Sequence, residues 1–116
     1  MKLLFICYFA FSSLSTKGVN LIVSGITSHT EANGTYLPFE TLNGHDSWKH
    51  ESKEYYIYYK PYNSIPYWNI DVDTDDADVL FYSEGNPPES SPTLVVSWTT
   101  LSGSGSPNVI EETLFP

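Results

Sequence analysis

The chain has 116 residues and carries 14 acidic side chains against five basic ones, which gives a formal net charge of −9. This charge disfavours nucleic acid and anionic membrane surfaces as partners, because both are bound through a basic protein face. It agrees instead with solubility, cation binding, or contact with a neutral or basic partner.

The N-terminus has the pattern of a signal peptide. Lys2 precedes an apolar run over Leu3–Phe11, far shorter than the roughly 20 residues of a membrane-spanning helix. Small residues follow, so we place the cleavage site near Ser15 and predict secretion or attachment at the cell surface, with no transmembrane segment. The alternative, a first buried strand or helix, is disfavoured because no polar residue makes the run one-sided.

The predicted leader covers residues 1–15. The residues that follow it are enough for one domain with a modest core. We predict a single β domain over residues 16–111 and a C-terminal tail over residues 112–116. The one cysteine, Cys7, lies in the leader. The domain must therefore be stabilised by packing or by a bound ion, because no disulfide is available.

After the leader, the sequence lacks helical periodicity and predicts short strands between turns. Asn43-Gly44 is the strongest turn, because both central positions of a type I′ hairpin need positive φ. Tyr55–Tyr59 is aromatic or β-branched throughout, which predicts a central strand with both faces covered. The predicted strands are Val19–Ser24, Thr35–Thr41, His45–Trp48, Tyr55–Tyr59, Tyr67–Asp73, Val79–Ser83, Leu94–Thr99 and Asn108–Glu111.

A proline-containing segment and an alternating segment follow the aromatic run Tyr55–Tyr59. Pro61–Pro66 is predicted to be a loop, because proline cannot donate a hydrogen bond to a sheet. Tyr67–Asp73 alternates, which predicts a half-buried strand with an acidic outer face. Short strands with tight turns and no helical crossover predict an all-β fold, an antiparallel meander that closes into a barrel or a two-sheet sandwich.

The segment Asp71–Asp78 contains five carboxylates, which repel one another unless solvent or a cation screens them. The first three keep the alternate spacing of a calcium loop, but Asp76 stands where a calcium hand needs glycine. A non-helical calcium turn and a solvated hairpin tip both stay open. The candidate calcium ligands are Asp71, Asp73, Asp75, Asp76 and Asp78, and no other cofactor is indicated.

Aromatic residues are abundant, with eight tyrosines and three tryptophans outside the predicted leader. Most are expected in the core and in cross-strand pairs, where they bury a large area. Exposed aromatic rings also stack on sugars, and such a site would serve a carbohydrate or protein partner. The exposed candidates are Tyr56, Tyr58, Tyr62 and Tyr67.

Residues for catalysis are not evident. Ser102–Gly105 lacks the Gly-x-Ser-x-Gly spacing of a nucleophile elbow. His45 and His50 are five apart and would face opposite sides of a strand, so we predict surface histidines rather than a zinc site. Paired acids leave a small hydrolase as a minor alternative, although a domain of this size has little room for a cleft. We therefore predict that the protein is not an enzyme.

The segment Asn33-Gly34-Thr35 has two interpretations. It matches the acceptor sequence for N-glycosylation in a eukaryotic host. It also suits a turn that enters a strand, and the sequence leaves both interpretations open.

Turn glycines and strand aromatics follow one another in a characteristic order: Ala32–Tyr36, Asn43-Gly44, Tyr55–Tyr59, Trp68–Ile70, Phe81–Ser83, Pro87-Pro88 and Trp98-Thr99 to Pro107. Over residues 24–111 this order resembles that of an uncharacterised small all-β module that recurs, often in tandem, in large multidomain proteins. The resemblance implies an accessory or interaction module and transfers no catalytic or binding residue. This chain departs in carrying a single copy behind a leader and a longer Pro61–Pro66 segment.

These features together predict a non-catalytic, secreted or surface-attached accessory module. It would bind a protein or a carbohydrate through an aromatic and acidic sheet face. The alternatives are a calcium-dependent carbohydrate-binding domain and, as a minor one, a small hydrolase.

Overall fold

The computed structural model describes residues 18–75, 78–83 and 91–113. The predicted leader, the acidic residue Asp76 and most of the proline-rich connection before Pro92 lie outside the described residues. In the described part, the helices are two 3-10 turns, Thr30–Ala32 and Pro92–Leu94. Neither of them is long or apolar enough to cross a membrane.

The described residues form eight strands. They are β1 Leu21–Ile26, β2 Gly34–Pro38, β3 Trp48–His50, β4 Tyr56–Tyr62, β5 Ile65–Asp71, β6 Val79–Ser83, β7 Trp98–Thr100 and β8 Gly105–Glu111. Each strand from β1 to β6 pairs antiparallel with the next one, and β8 pairs antiparallel with β1. The edge strands β7 and β8 contact each other, so the single sheet is nearly closed into a barrel. The predicted antiparallel meander is confirmed in its barrel form.

The core fills the inside of the barrel. Because directly opposed residues of paired strands point to the same face, one inward residue per strand builds a continuous layer. Ile57 on β4 lies opposite Trp48 and Ile70, and Ile70 lies opposite Phe81. The buried apolar cluster contains Leu21, Val23, Ile26, Ala32, Tyr36, Trp48, Ile57, Trp68, Ile70, Leu80, Phe81 and Val109. β4 therefore has the central position predicted from its aromatic run.

The turn Asn43-Gly44 is confirmed. Asn43 has φ 53° and Gly44 has φ 81°, as a type I′ turn requires. The flanking Leu42 and His45 exchange backbone hydrogen bonds of 2.8 and 3.0 Å. The strand prediction after the turn was too early, however, because β3 begins only at Trp48 and His45 forms an isolated bridge.

The predicted loop over Pro61–Pro66 is wrong, since both prolines lie in strands and face each other across the β4–β5 hairpin. The chain reverses at Asn63 and Ser64, whose φ values of 51° and 67° again mark a two-residue turn. Opposed pairs in a hairpin alternate between bonded and non-bonded, and the second pair from such a turn is non-bonded. The two prolines occupy this pair, where a missing N–H costs the hairpin no ladder bond.

The last two strands, β7 and β8, have different bounds from those predicted. Leu94–Ser97 is not a strand, because Ser91 caps a 3-10 turn at Pro92 by accepting a hydrogen bond of 3.2 Å from the Thr93 N–H. The strand is confined to Trp98–Thr100. β8 begins at Gly105, three residues before the predicted start, because the Gly/Ser segment already pairs with β1.

Candidate functional site

The outer face of β4, β5 and β6 gathers polar and aromatic side chains by register. Tyr58 is opposite Asn69, Lys60 is opposite Tyr67, and Asn69 is in turn opposite Tyr82. Opposed residues share a face, and Ile57 and Ile70 point inward, so these five side chains lie on the face of the sheet that points away from the core. Tyr58 and Asn69 are covered on that face, with 0% and 6% of their surface exposed. Alternation along the strands therefore separates this face from the core.

A groove with a volume of about 420 Å³ lies on this outer face. We call it the tyrosine groove and define it by Lys60, Tyr62, Tyr67, Asn69, Tyr82 and Leu101, with Val79 also in its wall. Its volume falls within the roughly 300–1,000 Å³ of small-ligand sites. Apolar ring surface and a few polar groups are the usual lining of such sites.

The rings of the groove differ in exposure and orientation. Tyr62 is 64% exposed and Leu101 is 62% exposed, so their side chains form an open rim. Tyr67 and Tyr82 are half-buried and pack edge to face, with ring centroids 5.4 Å apart and an interplanar angle of 89°. This packing holds the two inner rings in fixed positions.

The four tyrosines predicted as exposed candidates separate into two groups. Tyr62 and Tyr67 line the groove. Tyr56 is half-buried beside the Phe39 ring, with a centroid distance of 5.4 Å, and its hydroxyl donates to Glu54 at 2.8 Å. Burial and this bond raise the pKa of Tyr56 to about 12. Exposure of Tyr58 was wrongly predicted, because its side chain is fully buried.

Sequence reasoning missed Lys60, Asn69, Tyr82 and Leu101 as groove residues. A signal existed for Lys60, because it lies two residues from both Tyr58 and Tyr62 on the same strand face. Asn69 and Tyr82 needed the pairing register, since their strands approach each other only in the folded sheet. The proline-loop interpretation also hid the short hairpin that brings Lys60 opposite Tyr67.

The groove lining offers a specific set of chemical groups. Among the described lining residues there are phenol hydroxyls, one amide and one ammonium group, and there is no carboxylate, imidazole or thiol. Aromatic rings of this kind can stack on a ligand, and the hydroxyl, amide and ammonium groups can exchange hydrogen bonds with it. They do not include a carboxylate pair or a nucleophile–base pair of the kind that hydrolysis uses.

Asp71 at the end of β5 is fully buried, which corrects the prediction of a solvated acidic outer face. Its carboxylate accepts hydrogen bonds from the Tyr58 hydroxyl and the Val72 N–H, both at 2.6 Å. Burial raises the pKa of the Asp71 carboxyl, and these two hydrogen bonds oppose the shift. Strand alternation gave the correct face for Asp71, but the exposure of that face depends on the turn that follows.

Three of the predicted calcium ligands converge. Oxygen atoms of Asp71, Asp73 and Asp75 lie within 4.8 Å of one another. A side-chain hydrogen bond with Asp75 raises the pKa of Asp73, while the Asp75 N–H donates to Asp73 at 3.1 Å. Asp78 is exposed and stands outside this group, and Asp76 is outside the described residues. Carboxylate oxygens at this spacing suit a hard cation such as Ca²⁺.

His45 and His50 both pack against other residues, and the prediction of a surface position is wrong for His50. His50 is 7% exposed; its Nδ1 accepts from the N–H of Ser52 and of Lys53, and its Nε2 lies 2.9 Å from the Asn33 carbonyl oxygen. His45 is half-buried, with its ring centroid 3.9 Å from that of Tyr59. Within the described residues, no histidine joins a group of potential metal ligands.

A second cavity of about 420 Å³ lies at the end of the barrel where β3 begins. Its walls include Trp48, Trp68 and the acidic residues Glu40, Asp46 and Glu111. The two indole rings are only 9% and 1% exposed, because they pack into the core. A ligand there would meet mostly the polar rim, whereas the tyrosine groove has the exposed Tyr62 ring and the half-buried Tyr67 and Tyr82 rings in its wall.

Comparisons with known proteins add no assignment. No protein-family model matches the sequence, and neither the curated proteins nor the solved structures contain a significant match.

Proposed function

We propose that this chain is a non-catalytic binding module that acts outside the cell and holds its ligand in the tyrosine groove. The observation that carries the proposal is the groove itself, where three adjacent strands contribute Tyr62, Tyr67 and Tyr82 around the amide of Asn69. Exposed rings with a few convergent polar groups are the usual composition of a ligand site. The leader pattern at the N-terminus supports an extracellular role.

A fragment screen by protein-observed NMR tests the location of the site without assuming a ligand. We expect weakly binding fragments to shift the amide resonances of Tyr62, Tyr67, Asn69 and Tyr82, because small ligands concentrate where rings are exposed and polar groups converge. The exposed Val96, which is 98% solvent-accessible and does not line the groove, serves as the reference position. Fragment shifts confined to the barrel-end cavity, or the absence of any shared site, would contradict the proposal.

The non-catalytic part of the proposal is tested by incubation with chromogenic glycosides and esters. We expect no turnover above the buffer rate, since the described groove lining lacks a carboxylate pair. Turnover that an Asp→Asn or Glu→Gln change abolishes would instead favour the small hydrolase.

Calcium binding by the acidic turn is a second candidate property. It is favoured by the convergence of Asp71, Asp73 and Asp75. None of the three lines the tyrosine groove, so a calcium ion there would stabilise the turn after β5 rather than contact a ligand in the groove. If the chain is a calcium-dependent carbohydrate-binding domain, we propose that the ion has a structural role in the turn and that the carbohydrate binds at a separate site, the tyrosine groove.

Thermal unfolding with and without millimolar CaCl₂ tests this candidate. Binding to the folded state alone raises the melting temperature, and we expect the rise to disappear in Asp73→Asn and Asp75→Asn variants. Asp46→Asn removes an exposed carboxylate elsewhere and should keep the calcium effect. Equal shifts in all of these proteins would point to non-specific screening and would exclude the site.

A further inference from the structure

We propose that the tyrosine groove binds a neutral oligosaccharide, an inference that rests on the proposed function of the groove as the ligand site. Three properties of the groove favour this class of ligand: the paired backbone beneath the groove, the chemistry of its side chains and its local charge.

The backbone in the middle of the groove is already paired. Asn69 is opposite Tyr82, and Tyr82 is opposite Thr99 on β7. The Trp68 N–H is also occupied, since it donates to the Ser83 hydroxyl at 2.9 Å. An extended peptide that binds by strand addition needs a row of unpaired backbone groups at a sheet edge. The groove centre therefore offers side chains instead, and this favours a ligand recognised by stacking and by hydrogen bonds from side chains.

The side chains match the two kinds of surface on a sugar ring. The exposed ring of Tyr62 and the accessible parts of the half-buried Tyr67 and Tyr82 rings provide apolar area for the C–H groups of a pyranose. Phenol hydroxyls and the Asn69 amide both donate and accept hydrogen bonds, as sugar hydroxyls do. Exposure of Tyr62 at the rim, with the half-buried Tyr67 and Tyr82 deeper in the groove, gives ring surface at more than one depth.

The charge around the groove favours a neutral ligand. Among its described lining residues Lys60 is the one charged group, so a cationic ligand would find no carboxylate there. The chain as a whole carries a formal charge of −9, which repels a polyanionic glycan at long range. A neutral glycan avoids both penalties.

Titration with neutral hexasaccharides of glucose, xylose and mannose tests the inference, with NMR shifts and calorimetry as readouts. We expect at least one of them to shift the groove amide resonances. Tyr62→Ala and Tyr67→Ala should each weaken its binding by roughly two- to tenfold, because each removes one stacking ring. Tyr62→Phe keeps the ring and should retain most of the affinity.

The control variant is Phe39→Ala, which removes another exposed aromatic ring from the barrel-end cavity rather than from the groove. It should leave affinity unchanged, and circular dichroism verifies that every variant is folded. Tyr62 is 64% exposed, so its replacement tests binding with little risk to the fold.

Three results would overturn the inference: no shift with any neutral hexasaccharide at millimolar concentration, unchanged affinity in Tyr62→Ala, or tighter binding of decaproline or oligogalacturonate. Fragments that cluster in the groove while the hexasaccharides fail would reject the sugar and preserve the proposed function. Fragments that bind elsewhere would reject both.

Discussion

Asp71 illustrates how a single residue connects the sheet to the acidic turn. Its carboxylate accepts from the Tyr58 hydroxyl on the neighbouring strand and from the Val72 N–H in the turn. Removing one partner of a buried hydrogen-bonded group leaves the other without its bond. The same residue is therefore a structural anchor whether or not the turn binds calcium.

The raised pKa of Asp71 predicts the sign of a pH effect. Because burial raises the folded-state pKa above the unfolded value of about 3.9, the folded protein binds a proton more readily. The stabilising contribution is complete below the unfolded pKa and is lost as pH rises through the folded one. We therefore expect the wild-type unfolding free energy to fall more steeply between pH 4 and 7 than that of Asp71→Asn, measured by urea denaturation.

The matched control for this effect is Asp46→Asn, which removes the same charge from an exposed position. It should keep the wild-type pH slope. Glu54, whose pKa is lowered by the hydrogen bond from Tyr56, acts in the opposite direction in all three proteins and cancels in the comparison. An Asp71→Asn slope equal to that of wild type would contradict the role assigned to burial.

At the scale of elements, the pairing of β1 with β8 depends on two glycines. The register shifts between Ser24 and Ile26, and Gly25 and Gly105 at the shift have φ values of 91° and 109°. A Cβ on Gly25 would lie 2.2 Å from the Ser106 carbonyl oxygen. Across the same bulge, the Asn33 side chain accepts from the Ile26 N–H at 3.0 Å and donates to the Ile26 carbonyl oxygen at 2.9 Å. These two bonds favour the structural interpretation of the Asn33 turn.

Two glycine substitutions separate backbone strain from steric contact. Gly44 has a similar φ, 81°, but nothing lies within 4 Å of its Cβ position. Gly44→Ala should therefore cost about 1–2 kcal/mol of left-handed strain. Gly25→Ala adds a clash with backbone and should cost more than 3 kcal/mol, as strain with overpacking does. Urea denaturation measures the free energy of unfolding of both variants. Equal losses of this free energy would show that the close backbone contact at Gly25 adds no cost to the left-handed strain.

At the scale of the whole molecule, the barrel is a single antiparallel sheet whose first and last strands pair. Closure leaves β7 and β8 as the two edges and brings them into contact, which protects edges that would otherwise pair with other chains. The tyrosine groove lies on the outside of this barrel, so ligand binding there needs no opening of the core.

Export from the cell is predicted for the whole chain, because the leader directs everything that follows it. Expression of all 116 residues in a secreting host should give a processed protein in the medium whose N-terminus lies at or near Thr16. Mass spectrometry of the intact product measures the cleavage position. Replacement of Leu4 by Asp interrupts the apolar run and should retain the chain in the cell. Retention of an uncleaved wild-type chain would contradict the leader.

The sequence by itself was enough for the class of the fold and for several elements. Turn chemistry identified Asn43-Gly44, because positive φ is a local requirement. The run of aromatic and β-branched residues identified β4 as a central strand, because such a run suits a strand covered on both faces. Alternation placed Tyr67 on the side of the sheet opposite the core. All of these signals are confined to a few neighbouring residues.

The tertiary structure decided which of the candidate residues meet. Register brought Tyr82 beside Asn69, burial removed Tyr58 from the surface, and the turn after β5 gathered three carboxylates around the end of the strand. Pairing between strands fixed the positions of Pro61 and Pro66, which look like loop residues when each is considered alone. Periodicity assigns a side chain to a face, whereas exposure depends on the segments that cover that face, and these come from distant parts of the chain.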